Sequence, residues 1–191
     1  MNDRNEPLKA IPIFYSDLTD EEIEDFDVRY KEGYGLVRYL YGMAETEEEQ
    51  NRMRTYIVRD TKTDEVAGYF SLKAGMISIN ETKIDDSIRF DTLPGVELAN
   101  FALNSNYISR HKSMKGCGLI VFHRLILPIV RKVSENIGVK LIYIYALPKE
   151  KLLHRYEQYQ FKRLKPEQEQ ALHSRIKPDY DRDCIFMYQE L

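Results

Sequence analysis

The chain has 191 residues, 43% hydrophobic and 31% charged, with 9 Gly, 7 Pro, 14 Tyr and no Trp, the composition of a globular protein long enough to bury a core. A net charge of −3 argues against wholesale neutralisation of nucleic-acid phosphates, and two cysteines, Cys117 and Cys184, make no disulfide framework. No apolar run approaches the roughly 20 residues of a membrane span and the start lacks the build of a signal peptide, so a cytoplasmic protein with no membrane partner is expected.

Charge is unevenly spread. Residues 1–95 hold 21 Asp/Glu and 12 Lys/Arg (−9), and residues 96–191 hold 10 and 16 (+6). An acidic half beside a basic half suits two ligands of opposite sign in one site; ordinary surface variation is the alternative.

In chain order, residues 1–7 are polar and expected to fray. Leu8 to Tyr15 is β-prone, with Pro12 suited to an edge strand. Leu18-Thr19-Asp20-Glu21-Glu22 predicts a helix start, with Thr or Asp as cap and acids in the first turn. Ile23, Phe26 and Tyr30 continue it at helical spacing, up to Gly33 and Gly35. A second helix should carry Leu36, Tyr39, Leu40 and Met43 on one face, and the run Glu45–Gln50 reads as solvated helix surface. The period then changes to two. Thr55–Arg59 and Val66–Leu72, joined by a polar turn, predict a β-hairpin. Residues 80–95 read as a long polar connection.

Val96 to Leu103 is a short apolar strand interrupted by Glu97. A polar, basic loop leads to Lys115, and Gly116-Cys117-Gly118 opens a helix with Leu119, Phe122, Ile126, Ile129, Val130, Val133 and Ile137 on one face, bent at Pro128 and closed by Gly138. Leu141–Leu147 is an apolar run suited to a strand buried on both faces. A short helix at 150–159, a strand from Phe161 to Leu164, a mostly irregular polar stretch with a helical turn near 167–172, and a terminal strand over 184–188 complete the chain. The sum is a single α/β (α+β) domain over 1–191 with a mixed sheet.

A helix N-terminus presents unpaired N–H groups and partial positive charge, and glycines let a phosphate approach them. Met114, Lys115, Gly116, Cys117, Gly118 and Leu119 can therefore cradle a pyrophosphate, with Arg110, Lys112 and Lys115 supplying charge. A structural turn is the alternative, since a lone G-x-G is weak. Cys117 could be a nucleophile at a helix start, but no base-orienting acid accompanies it. Four His and two Cys have no metal-ligand spacing, so no metal is expected. The Tyr-rich segments Tyr30–Tyr41 and Tyr143/Tyr145 read as core and cleft wall rather than as a base-stacking surface.

The element order, with Gly116-x-Gly118 after an apolar strand, Glu97 on that strand and Tyr156-Glu157-Gln158-Tyr159-Gln160-Phe161 after the next, resembles the GNAT superfamily of N-acetyltransferases. Ser113 stands where the family has Gln or Arg, the loop 104–115 is longer than usual, and Gln160 replaces a glycine. The resemblance implies a mostly antiparallel sheet of about 6–7 strands flanked by about four helices, with acetyl-CoA as cofactor. It also implies that Phe101, Ala102 and Leu103 line the pantetheine arm and that the N–H of Ala102 or Leu103 polarises the thioester. Glu97 would be the general base, against a Glu merely facing solvent. Tyr156 would be the acid that protonates the leaving thiolate, against a packing tyrosine, with Tyr159 as fallback.

The expected activity is acetyl transfer from acetyl-CoA to a primary amine by direct attack. Rivals are a non-catalytic acyl-CoA-binding or regulatory module and a protein-interaction domain. The acceptor pocket would come from residues 19–45 and 80–95. Their acids (Asp20, Glu21, Glu22, Glu24, Asp25, Asp27, Asp85, Asp86) point to a cationic amine. Some family members acetylate aminoacyl-tRNA as toxins; net charge argues mildly against a nucleic-acid partner. A homodimer is left open.

Overall fold

The computed structural model describes residues 6–84, 87–175 and 183–191, with the backbone alone over 78–84, 87–91 and 174–175. Seven strands form one mixed sheet in the order β1-β2-β3-β4-β5-β7-β6. They are β1 (Leu8–Pro12), β2 (Arg54–Asp60), β3 (Val66–Ile84), β4 (Ser87–Leu103), β5 (Leu141–Ala146), β6 (Lys162–Arg163) and β7 (Ile185–Glu190). The β4–β5 pairing is parallel; β1–β2, β2–β3, β5–β7 and β6–β7 are antiparallel. The chain divides into two compact units, Met1–Lys73 with Ala99–Pro128, and Ala74–Leu98 with Ile129–Leu191.

In the first unit the predicted helix start is present and short. α1 (Asp20–Glu24) is opened by a capping box in which Thr19 accepts from the Glu22 N–H and Glu22 accepts from the Thr19 N–H. The expected continuation to Tyr30 fails because competing partners hold the backbone beyond it. The Asp27 N–H donates to Asn104 and the Asp27 carbonyl accepts from the Ser105 N–H at 2.8 Å. α2 (Tyr34–Gly42) follows, buries Tyr39 and Leu40, and leaves Met43 at its end exposed.

α3 (Ala44–Glu49) corrects the solvated-surface reading. Glu47 and Glu48 are buried: Glu48 accepts from the Thr55 N–H at 2.8 Å and pairs with Arg54, and Glu47 pairs with Arg52. Buried carboxylates persist only when so satisfied. The core of this unit joins Ile13, Phe26, Tyr39, Leu40, Ile57, Tyr69 and Ala102.

The β2–β3 hairpin is as expected, but the polar connection at 80–95 is not a loop. β3 runs on to Ile84 and β4 begins at Ser87. β-branched residues recur through this stretch (Ile77, Ile79, Thr82, Ile84, Ile88, Thr92), and their β preference outweighs the polar composition. Asp85 and Asp86, offered for the acceptor pocket, lie outside the described residues, as do residues 1–5 and 176–182.

The helix after the glycines is α5 (Gly118–Ile120), a π-helical turn over Val121–Ile126, and α6 (Leu127–Asn136). The Leu127 N–H reaches back five residues to the Phe122 carbonyl, next to Pro128, whose ring crowds an ordinary turn. The wide turn shifts the buried face to Gly118, Val121, Phe122, Ile126, Leu127 and Val130. Leu119 and Ile137, expected on that face, are exposed.

In the second unit β5 is buried as expected. It is followed in sequence by α7 (Glu150–Gln158) and, after β6, by α8 (Pro166–Arg175), the latter a full helix where only a turn was expected. Ile77, Leu141, Tyr143, Leu164, Leu172 and Phe186 form its core. Close approach favours glycine here: a Cβ on Gly75 would lie 1.9 Å from the Tyr143 hydroxyl, and one on Gly95 2.7 Å from the end of the Leu141 side chain, so either would have to move.

Candidate functional site

In the first unit, β4 ends on half-buried Phe101, buried Ala102 and half-buried Leu103. The strands are close here, since a Cβ on Gly68 would stand 2.5 Å from the Ala102 carbonyl. The next residue, Asn104, is 1% exposed and works as a junction. Its N–H donates to the Ala67 carbonyl at 2.9 Å, its side-chain oxygen caps α4 (Ser105–Arg110) through the Asn106 N–H, and its side-chain amide donates to the Val66 carbonyl.

The segment 104–115, expected as a loop, is thus a short helix and a 3-10 turn (Lys112–Met114). Buried Tyr107 donates to Asp60 at 2.5 Å, and His111 meets Glu65 at 2.5 Å. Burial pushes the Asp60 carboxyl up, but the Tyr107 hydroxyl and the N–H groups of Lys62 and Thr63 outweigh it and leave a net lowering.

Arg110 leaves the pyrophosphate reading. Its guanidinium grips Asp25 through two bonds of 2.9 and 2.7 Å and Glu65 through a third, and it holds the Asp25 carboxyl below its ordinary range, burial opposing. Glu22 is likewise spent on buried Arg59. Glu21, Glu22, Asp25, Glu65, Val66 and Arg110 line one shallow cleft, so part of the acidity expected to draw a cationic amine is neutralised within the fold.

The turn divides its donors. The N–H groups of Met114, Lys115, Cys117 and Leu119 are bonded to the carbonyls of His111, Lys112, Met114 and Gly116. Among the described residues, those of Gly116 and Gly118 have no backbone partner. The expected row of donors is therefore two, both on glycine. Gly116 has φ +88°, a left-handed conformation that favours glycine, with open space where a Cβ would stand. Lys112 and Lys115 are exposed and pair with no acid among the described residues. The Cys117 side chain is buried, and burial pushes its thiol up. This is the environment of an inert thiol.

In the second unit, Glu97 is 6% exposed, which removes the reading of a glutamate facing solvent. β4 pairs with β5 over three residues, Gly95↔Leu141, Val96↔Ile142 and Glu97↔Tyr143. Glu97 thus closes the registered stretch, and the Tyr143 hydroxyl donates to its carboxylate at 3.3 Å. Burial, then the charge of Glu97, push the Tyr145 phenol up to about 12. Tyr143 was read as core or cleft wall, with no role toward Glu97. The available signal was that a buried phenol must find a partner, and Glu97 is the carboxylate directly opposite it on the neighbouring strand.

Tyr156 stands on the last turns of α7, its ring edge-on to Tyr159 and Phe161 at 5.9 and 5.7 Å. Its hydroxyl bonds no described residue, and burial, then the neighbouring Tyr159, raise its pKa. A phenol so placed stays protonated at neutral pH and retains a donor to give. Tyr159 is 3% exposed and belongs to the core.

No family model matches the sequence. Among solved structures, a tyrosine-to-phenylalanine mutant of KacT aligns with 96% of this chain and 95% of its own at TM-score 0.67 and 16% identity. A tyrosine-to-phenylalanine mutant of the AtaT toxin, bound to the C-terminus of the antitoxin AtaR and acetyl-CoA, aligns over 94% and 92% at 0.61 and 17%. AtaT complexed with acetyl-methionyl-tRNAfMet aligns over 94% and 93% at 0.63 and 19%. The chain has the GNAT fold. The expectation that nucleic acid is an unlikely partner is not borne out: a protein of the same fold is held with a tRNA. No helix among the described residues is long and apolar enough to cross a membrane.

Proposed function

We propose that the chain is an N-acetyltransferase that uses acetyl-CoA to acetylate a primary amine. The carrying observation is the turn. Two glycine N–H groups are left unspent at a helix start, beside two uncommitted lysines, on a fold whose AtaT example is bound to acetyl-CoA. These donors fit a pyrophosphate. Gly116 and Gly118 would hold it through main-chain N–H groups, Lys112 and Lys115 would add charge, and Phe101, Ala102 and Leu103 would line the pantetheine arm.

Acetyl-CoA supplies, when bound, an acetyl group activated as a thioester. Glu97, held by Tyr143, takes the proton that the attacking amine must lose, directly or through one water. Tyr156 gives its proton to the sulfur that leaves. The α-amine of an aminoacyl-tRNA is the acceptor to try first, because AtaT is seen with the acetylated form of such a molecule.

Calorimetric titration with acetyl-CoA tests the reading. Saturable binding with a rise in Tm that grows with the logarithm of ligand concentration is expected, followed by CoA release when methionyl-tRNA is added. No binding at saturating acetyl-CoA overturns it; binding without turnover on any amine leaves the non-catalytic acyl-CoA-binding module in its place.

A further inference from the structure

The Tyr-rich segment read from sequence as core and cleft wall is split by the structure. Tyr39 is buried, but Tyr30, Tyr34 and Tyr41 are 62%, 61% and 74% exposed. Tyr34, Arg38 and Tyr41 follow one another at i, i+4 and i+7 on α2, so they share one face, and Arg38 is exposed too. Just before the helix, the Arg29 guanidinium lies 6.0 Å from the Tyr30 ring centre.

We propose that this face, Tyr34, Arg38 and Tyr41, with the Arg29–Tyr30 pair that precedes it in the chain, binds single-stranded RNA by stacking bases on the tyrosines and pairing phosphates with the arginines. Three observations on the first unit point to it. The platform is fixed from behind: the Leu36 carbonyl accepts from the Tyr69 hydroxyl at 2.7 Å, the Tyr39 hydroxyl bonds Thr55, and Leu36, Val37, Tyr39 and Leu40 join the core. The exposed side is unpartnered: among the described residues Tyr34, Arg38 and Tyr41 make no hydrogen bond or ion pair.

The third is charge and space. Residues 29–43 carry Arg29, Lys31 and Arg38 against Glu32, a local +2 within a half of the chain that is −9, and no acid occurs from 33 to 44. Beside the rings, Gly35 and Gly42 would meet nothing within 4 Å on gaining a Cβ. Packing therefore does not demand these glycines, and the surface of α2 around them is open. Rings with adjacent cations and open flanks are the elements of a sequence-tolerant single-strand surface. The unpaired tyrosine hydroxyls can also meet a ribose 2′-OH, which favours RNA over DNA.

The test is fluorescence anisotropy with a labelled single strand of RNA of about 12 nucleotides, its DNA counterpart and its duplex, without acetyl-CoA. Binding is therefore read apart from the transfer reaction. The RNA strand should bind more tightly than the duplex and at least as tightly as DNA. Tyr34→Ala and Tyr41→Ala should each weaken it roughly tenfold. Tyr34→Phe should keep most of the affinity, and Arg38→Ala should lower the salt dependence by close to one phosphate contact. Circular dichroism should show all variants folded, as surface positions predict. Absence of RNA binding, a preference for duplex or DNA, or alanine variants that bind as wild type would each overturn the proposal. So would alanine variants that turn a dimer into monomers while RNA affinity stays unchanged, which would make the face a self-interface.

Discussion

The glycine turn of the first unit and the side chains of Glu97, Tyr143 and Tyr156 in the second do their proposed work with different parts of the chain. At the turn the donors are main-chain N–H groups, and the neighbouring side chains are exposed lysines or a buried, inert thiol. In the second unit the groups are side chains: a buried carboxylate, the phenol that bonds it, and, on α7, a second phenol whose hydroxyl bonds no described residue. A backbone site tolerates side-chain change and is sensitive to conformation. A side-chain site is the reverse. Mutations should separate the two.

Tyr156→Phe should have the largest effect. It removes the donor and keeps the ring contacts to Tyr159 and Phe161, so turnover with methionyl-tRNA should fall by about 10²–10⁴ while the acetyl-CoA Kd holds. Equal losses in both would assign Tyr156 to packing. Glu97→Gln should follow, with a fall of about 10²-fold in kcat that is partly recovered as pH rises and the amine deprotonates by itself. A flat pH response would remove Glu97 as base.

At the turn, Gly116→Ala places a Cβ in open space but keeps φ at +88°. The expected cost is about 1–2 kcal/mol of conformational strain, read as roughly tenfold weaker acetyl-CoA binding with kcat at saturation unchanged. Lys112→Ala, at an exposed side chain, should weaken binding by only a few-fold and less at high salt. If Lys112→Ala proved the worse of the two, the turn would be a charge site rather than a backbone one.

The elements with strong local signals were legible in the sequence. The helix start at Thr19-Asp20, the β2–β3 hairpin, the buried β5 run and the glycine-opened helix are set by residues close in the chain. What escaped is set by distant partners. The end of α1 depends on Asn104 and Ser105, some 80 residues away. The removal of Arg110 from the phosphate turn depends on Asp25 and Glu65. The bond from Tyr143 to Glu97 depends on the register of two parallel strands. Composition also misled at two places, where polar residues hid the strands at 80–95 and an acidic run hid two buried glutamates.

The smallest expected effect on acetyl-CoA binding concerns the support beneath the turn. Tyr107 is fully buried and donates to Asp60, whose other oxygen accepts from the N–H groups of Lys62 and Thr63. Tyr107→Phe keeps the ring and removes one donor from a buried carboxylate, a loss of about 1–3 kcal/mol. The Asp60 carboxyl is lowered in the fold despite its burial, so its contribution is present above the unfolded value near 3.8 and is lost as pH falls through the folded one. The difference in unfolding free energy between wild type and Tyr107→Phe should therefore be full at neutral pH and close in acid, once Asp60 is protonated in both. Urea titrations at several pH values measure it. A gap that persists in acid would mean that the hydroxyl acts through packing rather than through the charge on Asp60. Because the turn relies on backbone geometry, the same variant should weaken acetyl-CoA binding slightly and leave the Tyr156 chemistry unchanged.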